Sequence, residues 1–260
     1  MNRPFPVEFR IEDSIAHVTL NRPEVGNAIN AALVNEIVRI ARICDSDKSV
    51  RVVLLTANGK MFCVGGDLTL FSSMGDQAEV QLKELADQLH KAISIFARMD
   101  APLVIAVNGM AAGGGFSLCL TGDYVVAAES AKFTMAYTSA GLSPDGSSTY
   151  FLPRLVGIRK AQELMLLNRT LSAQEAAQWG LIALAVPDEK LNDEALAVCR
   201  SLVQGPRHAQ SAVKRLLFCS LQNGLEEQME LEGHEISRAA ASPEGREGIA
   251  AFIEKRRPRF

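Results

Sequence analysis

Between Ala101 and Gly122 the chain carries no charged side chain for 22 residues, and three consecutive glycines, Gly113-Gly114-Gly115, fall inside that run. A stretch of this length could cross a bilayer as a helix. Pro102, Asn108 and the five glycines argue against it, since a glycine inside a helix costs about 1 kcal/mol. The run reads instead as a buried strand, a glycine loop and a buried helix, with no membrane partner expected.

The flanking sequence extends this pattern. Val7–Ile11 and Ala16–Leu20 read as short strands around a polar turn, and residues 31–44 place Val34, Ile37, Ala41 and Cys44 at helical spacing. Val50–Thr56 is a nearly unbroken apolar run of the kind found in buried parallel strands. Leu82, Leu85, Leu89, Ile93 and Phe96 mark one face of a helix over about 80–98, and Tyr124–Ala128 is a further strand. Ser172-Ala173-Gln174-Glu175 is a capping box opening a helix. Helical patterns follow at about 190–203, 207–222 and 225–240, with Pro187, Pro206 and Pro243 at the breaks. The fold class is α/β: a core of repeated strand–strand–helix units over residues 1–195, then a helical region over 196–260.

Composition narrows the function. A formal net charge of −3 gives no overall positive field, so a nucleic-acid partner is not expected. The five cysteines form no C-x-x-C, and residues 1–4 offer no apolar run for a signal peptide, so a cytoplasmic protein with reduced thiols is expected. With four histidines and no H-E-x-x-H or clustered Cys/His set, no metal site is expected. A P-loop, a complete dinucleotide fingerprint and a G-x-S-x-G elbow are all absent from the sequence.

Two glycine turns remain. Gly65-Gly66 follows the strand at Val50–Thr56, and Gly113-Gly114-Gly115 follows Pro102–Val107. Each lies past the C-terminal end of a parallel strand, where α/β sheets place ligands. Two such turns can aim two backbone N–H groups at one oxygen, as in an oxyanion hole. They can equally be tight strand–helix connections, and spacing alone leaves both readings open.

Leu20-Asn21-Arg22-Pro23 with Asn27-Ala28, Phe62-Cys63-Val64-Gly65-Gly66-Asp67, and Ala106-Val107-Asn108-Gly109 with the glycine triplet together resemble the crotonase (enoyl-CoA hydratase/isomerase) superfamily. The resemblance runs from about Val18 to Arg256. It implies a spiral of ββα units with a helical C-terminal trimerisation region, an acyl-CoA substrate held as a thioester enolate, and a homotrimer or dimer of trimers. No cofactor is implied beyond the CoA of the substrate. It assigns the oxyanion donors to the N–H groups of Gly66 and Gly114. It places the pantetheine and adenine along Glu24, Val25 and Ala28 with Val64, Asp67 and Leu68, and sends Phe252 and Lys255 to the nucleotide of a neighbouring subunit.

The hydratases of this superfamily use two glutamates, at positions filled here by Ser117 and Tyr137. Neither side chain replaces a carboxylate base at neutral pH without strong activation. Gly141-Leu142-Ser143-Pro144-Asp145-Gly146 resembles instead the phenylacetate-pathway isomerase branch, whose aspartate moves a proton of the enoyl-CoA; Ser147-Ser148 stands where glycines are common there. Asp145 is expected to be desolvated by the acyl pocket. His90, read alone beside its apolar stripe, suits a structural role. A histidine and an aspartate at the positions of His90 and Asp145 also occur in the 4-chlorobenzoyl-CoA dehalogenase branch, as water-activating base and nucleophile, although Tyr137 replaces a tryptophan of that branch. A hydratase and a non-catalytic acyl-CoA-binding protein stay open as further readings. Residues 69–88 are polar and irregular, expected to be mobile and to form part of the acyl pocket, with Phe71, Met74 and Leu85 supplying apolar surface.

Overall fold

A computed structural model describes residues 5–260; residues 1–4, on which the signal-peptide expectation rests, lie outside the described residues. The order begins β1 (Val7–Glu12), β2 (Ile15–Leu20), α1 (Ala31–Ser46), β3 (Val52–Ala57), β4 (Met61–Cys63), α2 (Leu68–Ser72) and α3 (Ala78–Arg98). It continues with β5 (Leu103–Val107), β6 (Met110–Ala112), α4 (Gly114–Cys119), β7 (Tyr124–Ala128), β8 (Lys132–Thr134), α5 (Ser148–Val156) and α6 (Ile158–Leu167). Last come β9 (Leu171–Ser172), α7 (Ala173–Gln178), β10 (Leu184–Val186), α8 (Leu191–Val203), α9 (Arg207–Ser220), α10 (Leu225–Ala241) and α11 (Pro243–Ile253).

The strands form two sheets. The larger runs β1-β2-β3-β5-β7-β10, with β1 antiparallel to β2 and the others parallel; the smaller runs β4-β6-β8-β9. Each repeat sends its first strand to the large sheet and its second to the small one: β3 then β4, β5 then β6, β7 then β8. The second strands have three residues each, too few to show a period, so the sequence reads them as parts of turns. The glycine turns therefore follow β4 and β6 directly, rather than β3 and β5.

The uncharged run becomes β5, β6 and α4, fully buried along β5 and α4. Among the described residues no helix is long and apolar enough to cross a membrane. α1 starts where the Asn30 side chain accepts from Leu33 N, and buries Leu33, Val34, Ile37, Ile40, Ala41 and Cys44 along one stripe. It packs along α3 and against β1 and β2, while α8 lies on β3, β5 and β7. The expected boundary at residue 195 falls inside α8, whose Ala195 and Cys199 are buried in the core; the helices that leave the sheets begin with α9. The capping box at Ser172 and Glu175 is formed, with both reciprocal bonds present. Residues 69–88, read as irregular, take helical form in α2, a short 3-10 turn at Gly75–Gln77 and the first turns of α3.

Candidate active site

Asn27 builds the first wall. It is fully buried with a left-handed φ of 57°, accepts Arg22 N at 2.7 Å, and donates to Asn58 O and Met61 O at 3.0 Å each. This fixes the next residue pair: Ile29 N donates to Gly65 O at 2.7 Å and Asp67 N donates to Ile29 O at 3.0 Å. In such a parallel bridge Ile29 bonds to the peptides flanking Gly66, so the N–H of Gly66 itself faces away from Ile29, and Gly66 lines the cavity. Gly65 must be glycine: its φ is +91°, and a Cβ there would stand 2.9 Å from Ala112 O and 3.3 Å from Gly114 N. The two turns thus touch. Gly114 opens α4, where the helix leaves its N–H without an internal acceptor.

Gly66, Gly114 and Asp145 line one cavity of about 590 Å³. Ile29, Phe71, Leu82, Leu85, Leu89 and Leu142 give it an apolar lining, and Glu79 with Lys83 adds charge from α3. Phe71 and Leu85 are placed as the sequence suggests; Met74 is not among the lining residues. Val64, Leu68 and Tyr137 also line it. Val64 N donates to Gly26 O at 3.0 Å, which sets the Glu24–Ala28 loop beside Val64. Asp67 caps α2 through Leu70 N at 3.2 Å and lies 3.8 Å from the Arg22 guanidinium. Phe252 is 86% exposed, and neither it nor Lys255 is among the residues lining the cavity. Arg256 is held by Glu247 and Glu254 at 2.6 Å, so part of the tail's positive charge is neutralised within the chain.

Asp145 departs from expectation. Its side chain is 41% exposed rather than desolvated, and Oδ1 lies 2.7 Å from His90 Nε2. His90, for which the sequence leaves a structural and a base role open, is turned by the α3 helix onto Asp145, with the imidazole 44% exposed. His90 also lines a second cleft of about 310 Å³, between α3, α5 and α9. The sequence could not show this pairing, because the two residues lie 55 positions apart on different elements.

Ser117 and Tyr137, the positions of the hydratase glutamates, lie 2.9 Å apart through their hydroxyls. Both reach the backbone carbonyl of Asp145, Ser117 Oγ at 2.9 Å and Tyr137 Oη at 3.2 Å. Ser148 Oγ donates to the same carbonyl at 2.9 Å. Burial raises the pKa of the Tyr137 phenol, against the opposing hydrogen bond from Ser117, so it stays protonated. Sequence reasoning missed Ser148; its only signal was a serine where glycine is common. Its neighbour Ser147 takes a left-handed φ of 66°.

The sequence pattern of the enoyl-CoA hydratase/isomerase family matches residues 10–260. The chain is 39% identical to a probable enoyl-CoA hydratase of Rhodobacter capsulatus, over 98% of this chain and 97% of the relative. It is 36% identical to the 1,2-epoxyphenylacetyl-CoA isomerase of Escherichia coli, over 96% of each. A putative enoyl-CoA hydratase/isomerase from Mycobacterium abscessus superposes with a TM-score of 0.94, at 31% identity and 98% coverage of both chains. With the ββα spiral and the paired glycine turns, these similarities establish that the chain belongs to the enoyl-CoA hydratase/isomerase family, the crotonase superfamily, whose substrates are acyl-CoA thioesters.

Proposed function

We propose that the protein is an enoyl-CoA isomerase that moves a double bond between the 3- and 2-positions of an acyl-CoA, with Asp145 carrying the proton. The observation that carries this reading is the place of Asp145 on the cavity wall shared by Gly66 and Gly114, while the alternative glutamate positions hold a serine and a tyrosine bonded to each other.

The thioester oxygen accepts from Gly66 N–H and Gly114 N–H. This lowers the cost of negative charge on that oxygen by about 3–4 kcal/mol per donor. The Asp145 carboxylate removes the α-proton of the 3-enoyl thioester, the electron pair moves into a dienolate, and Asp145 returns the proton to the γ-carbon. One base serves both carbons, and no water enters the product. The isomerases among the relatives support isomerisation in general, one of them being named for an epoxide and another for a 2-decenoyl thioester; the probable hydratase does not favour it.

The His90–Asp145 contact favours a second reading: attack by the Asp145 carboxylate on an aryl carbon, with His90 activating the water that releases product. Acyl-CoA panels followed by mass spectrometry separate the outcomes. An unchanged mass with a shifted double bond supports isomerisation, a gain of water indicates hydration, and halide release indicates the covalent route. Asp145→Asn should abolish the isomerisation and Glu79→Gln should leave it; the reverse result would overturn the assignment. We also read the exposed apolar residues Leu217, Leu221, Leu225, Met229 and Ile236, on α9, α10 and the turn between them, as a homotrimer surface. In that assembly Phe252 and Lys255 would reach a neighbour's nucleotide; sedimentation as a monomer at micromolar concentration would reject it.

A further inference from the structure

We infer that Ser117 is a positioning residue that couples the oxyanion donor Gly114 to the base Asp145 through a rotating hydroxyl pair with Tyr137. The inference rests on the isomerase reading and adds to it.

The argument starts from one peptide. The carbonyl of Gly113 and the N–H of Gly114 belong to the same amide unit. Ser117 N donates to that carbonyl at 2.9 Å, and Ser117 Oγ lies within reach of it at 3.2 Å. A donor on an amide oxygen polarises the amide and makes its N–H a stronger donor. Ser117 therefore acts on the oxyanion hole from behind.

Proton counting supplies the coupling. The three hydroxyls of Ser117, Tyr137 and Ser148 carry one proton each, and the Asp145 carbonyl has two lone pairs. Ser148 donates to that carbonyl from Oγ at 2.9 Å and, at the longer distance of 3.3 Å, from its backbone N, so the alternation turns on the single hydroxyl proton of Ser117. In one arrangement Ser117 Oγ donates to the Asp145 carbonyl and Tyr137 donates to Ser117 Oγ. In the other, Tyr137 donates to Asp145 O and Ser117 turns its proton to Gly113 O. Asp145 O keeps its Ser148 contacts and one further hydroxyl in both, so its loop does not move between them. Only the second arrangement adds a hydroxyl donor to the Gly113–Gly114 amide. Negative charge on the thioester oxygen favours that arrangement, so the support grows as the dienolate forms. Ser117 is fully buried, with no water needed to complete the set.

Two probes read this directly: a CoA thioether bearing a nitronate, which mimics the enolate, and the saturated acyl-CoA of equal length. Ser117→Ala should lower kcat about tenfold with KM within twofold, and should weaken nitronate binding about tenfold while saturated acyl-CoA binds as before. Tyr137→Phe should show the same selectivity to a smaller degree, and the double variant should cost no more than Ser117→Ala alone. Equal losses for both probes in Ser117→Ala, or none in either, would overturn the inference, as would full additivity. The binding comparison needs no turnover. An active Asp145→Asn enzyme would therefore reject the isomerase reading separately from the role of Ser117.

Discussion

His90 Nε2 on α3 stands 2.7 Å from Asp145 Oδ1 on the loop before α5, and this contact joins the wall of the acyl cavity to the wall of the cleft behind it. Both side chains are more than two-fifths exposed, so solvent screens the pair and its value for stability is small. Its consequence is for the chemistry of the carboxylate. His90→Ala should lower kcat by roughly tenfold and shift the melting temperature by no more than about 2 °C. The double variant with Asp145→Asn should be no slower than Asp145→Asn alone, because both act on one proton transfer. Steady-state kinetics on the four proteins check this.

The two adjacent glycines of α4 should separate folding from catalysis. A Cβ on Gly115 would stand 2.2 Å from Cys63 O, a backbone atom that can move only with β4. A Cβ on Gly114 would stand 2.8 Å from Ile29 Cδ1, the free end of a side chain. Gly115→Ala should therefore fail to fold or lose about 3 kcal/mol or more. Gly114→Ala should fold, with a lower kcat/KM, because Ile29 is pushed into the cavity. Urea unfolding and kinetics of the two variants give the comparison.

Which parts of this were legible follows from length and distance. β7 could be read residue for residue, since an apolar run of five with β-branched members has few other uses. β4, β6 and β8 could not, because three residues carry no period and their pairing is entirely non-local. The place of Gly66 and Gly114 was visible in the family motifs. The partner of His90 was not, since helix α3 fixes which way the imidazole points and the loop at Asp145 fixes what it meets. Ser117 was visible only as a missing carboxylate, while its bonds to Gly113 O and Asp145 O needed three dimensions.

Ser147 holds a left-handed φ of 66° at the start of α5, a conformation that costs a residue with a Cβ about 1 kcal/mol. Ser147→Gly should raise the melting temperature by about 2 °C. Ser148→Gly should do the opposite, since it removes a fully buried hydroxyl from the Asp145 carbonyl. Differential scanning calorimetry of both variants tests the assignment of opposite roles to neighbouring serines.

Burial pushes the thiols of Cys44, Cys63 and Cys199 up to about 12 in the fold. An unfolded cysteine ionises near about 8.5. The folded value is the higher one, so these groups add stability that is complete below pH of about 8.5 and is withdrawn as pH rises toward 12. The loss is about 1.4 kcal/mol per pH unit for each thiol within that window. Urea midpoints should fall steeply between pH of about 8.5 and 10.5, and replacing Cys199 by Ala should make the fall shallower.

Lys214 fastens α9 to the core. Its ammonium is nearly buried and donates to Asp123 Oδ2 and Phe96 O at 2.7 Å and to Ala101 O at 3.2 Å. Asp123 Oδ2 also accepts Leu103 N at 2.7 Å, at the start of β5. Burial lowers the Lys214 pKa and raises that of Asp123, outweighing the attraction between them in each case. The pair is therefore held at a desolvation cost, and removing one partner leaves the other charge stranded. Lys214→Met should cost about 3 kcal/mol or more. Adding Asp123→Asn removes the stranded charge and keeps an oxygen for Leu103 N, so the double variant should recover part of that loss. Because α9 carries Phe218 and Gln222 follows it at the second cleft, Lys214→Met should also raise hydrogen exchange along α9 before β5 is affected. Equal exchange in both elements would show that the contact serves the whole core instead of tying this helix to it.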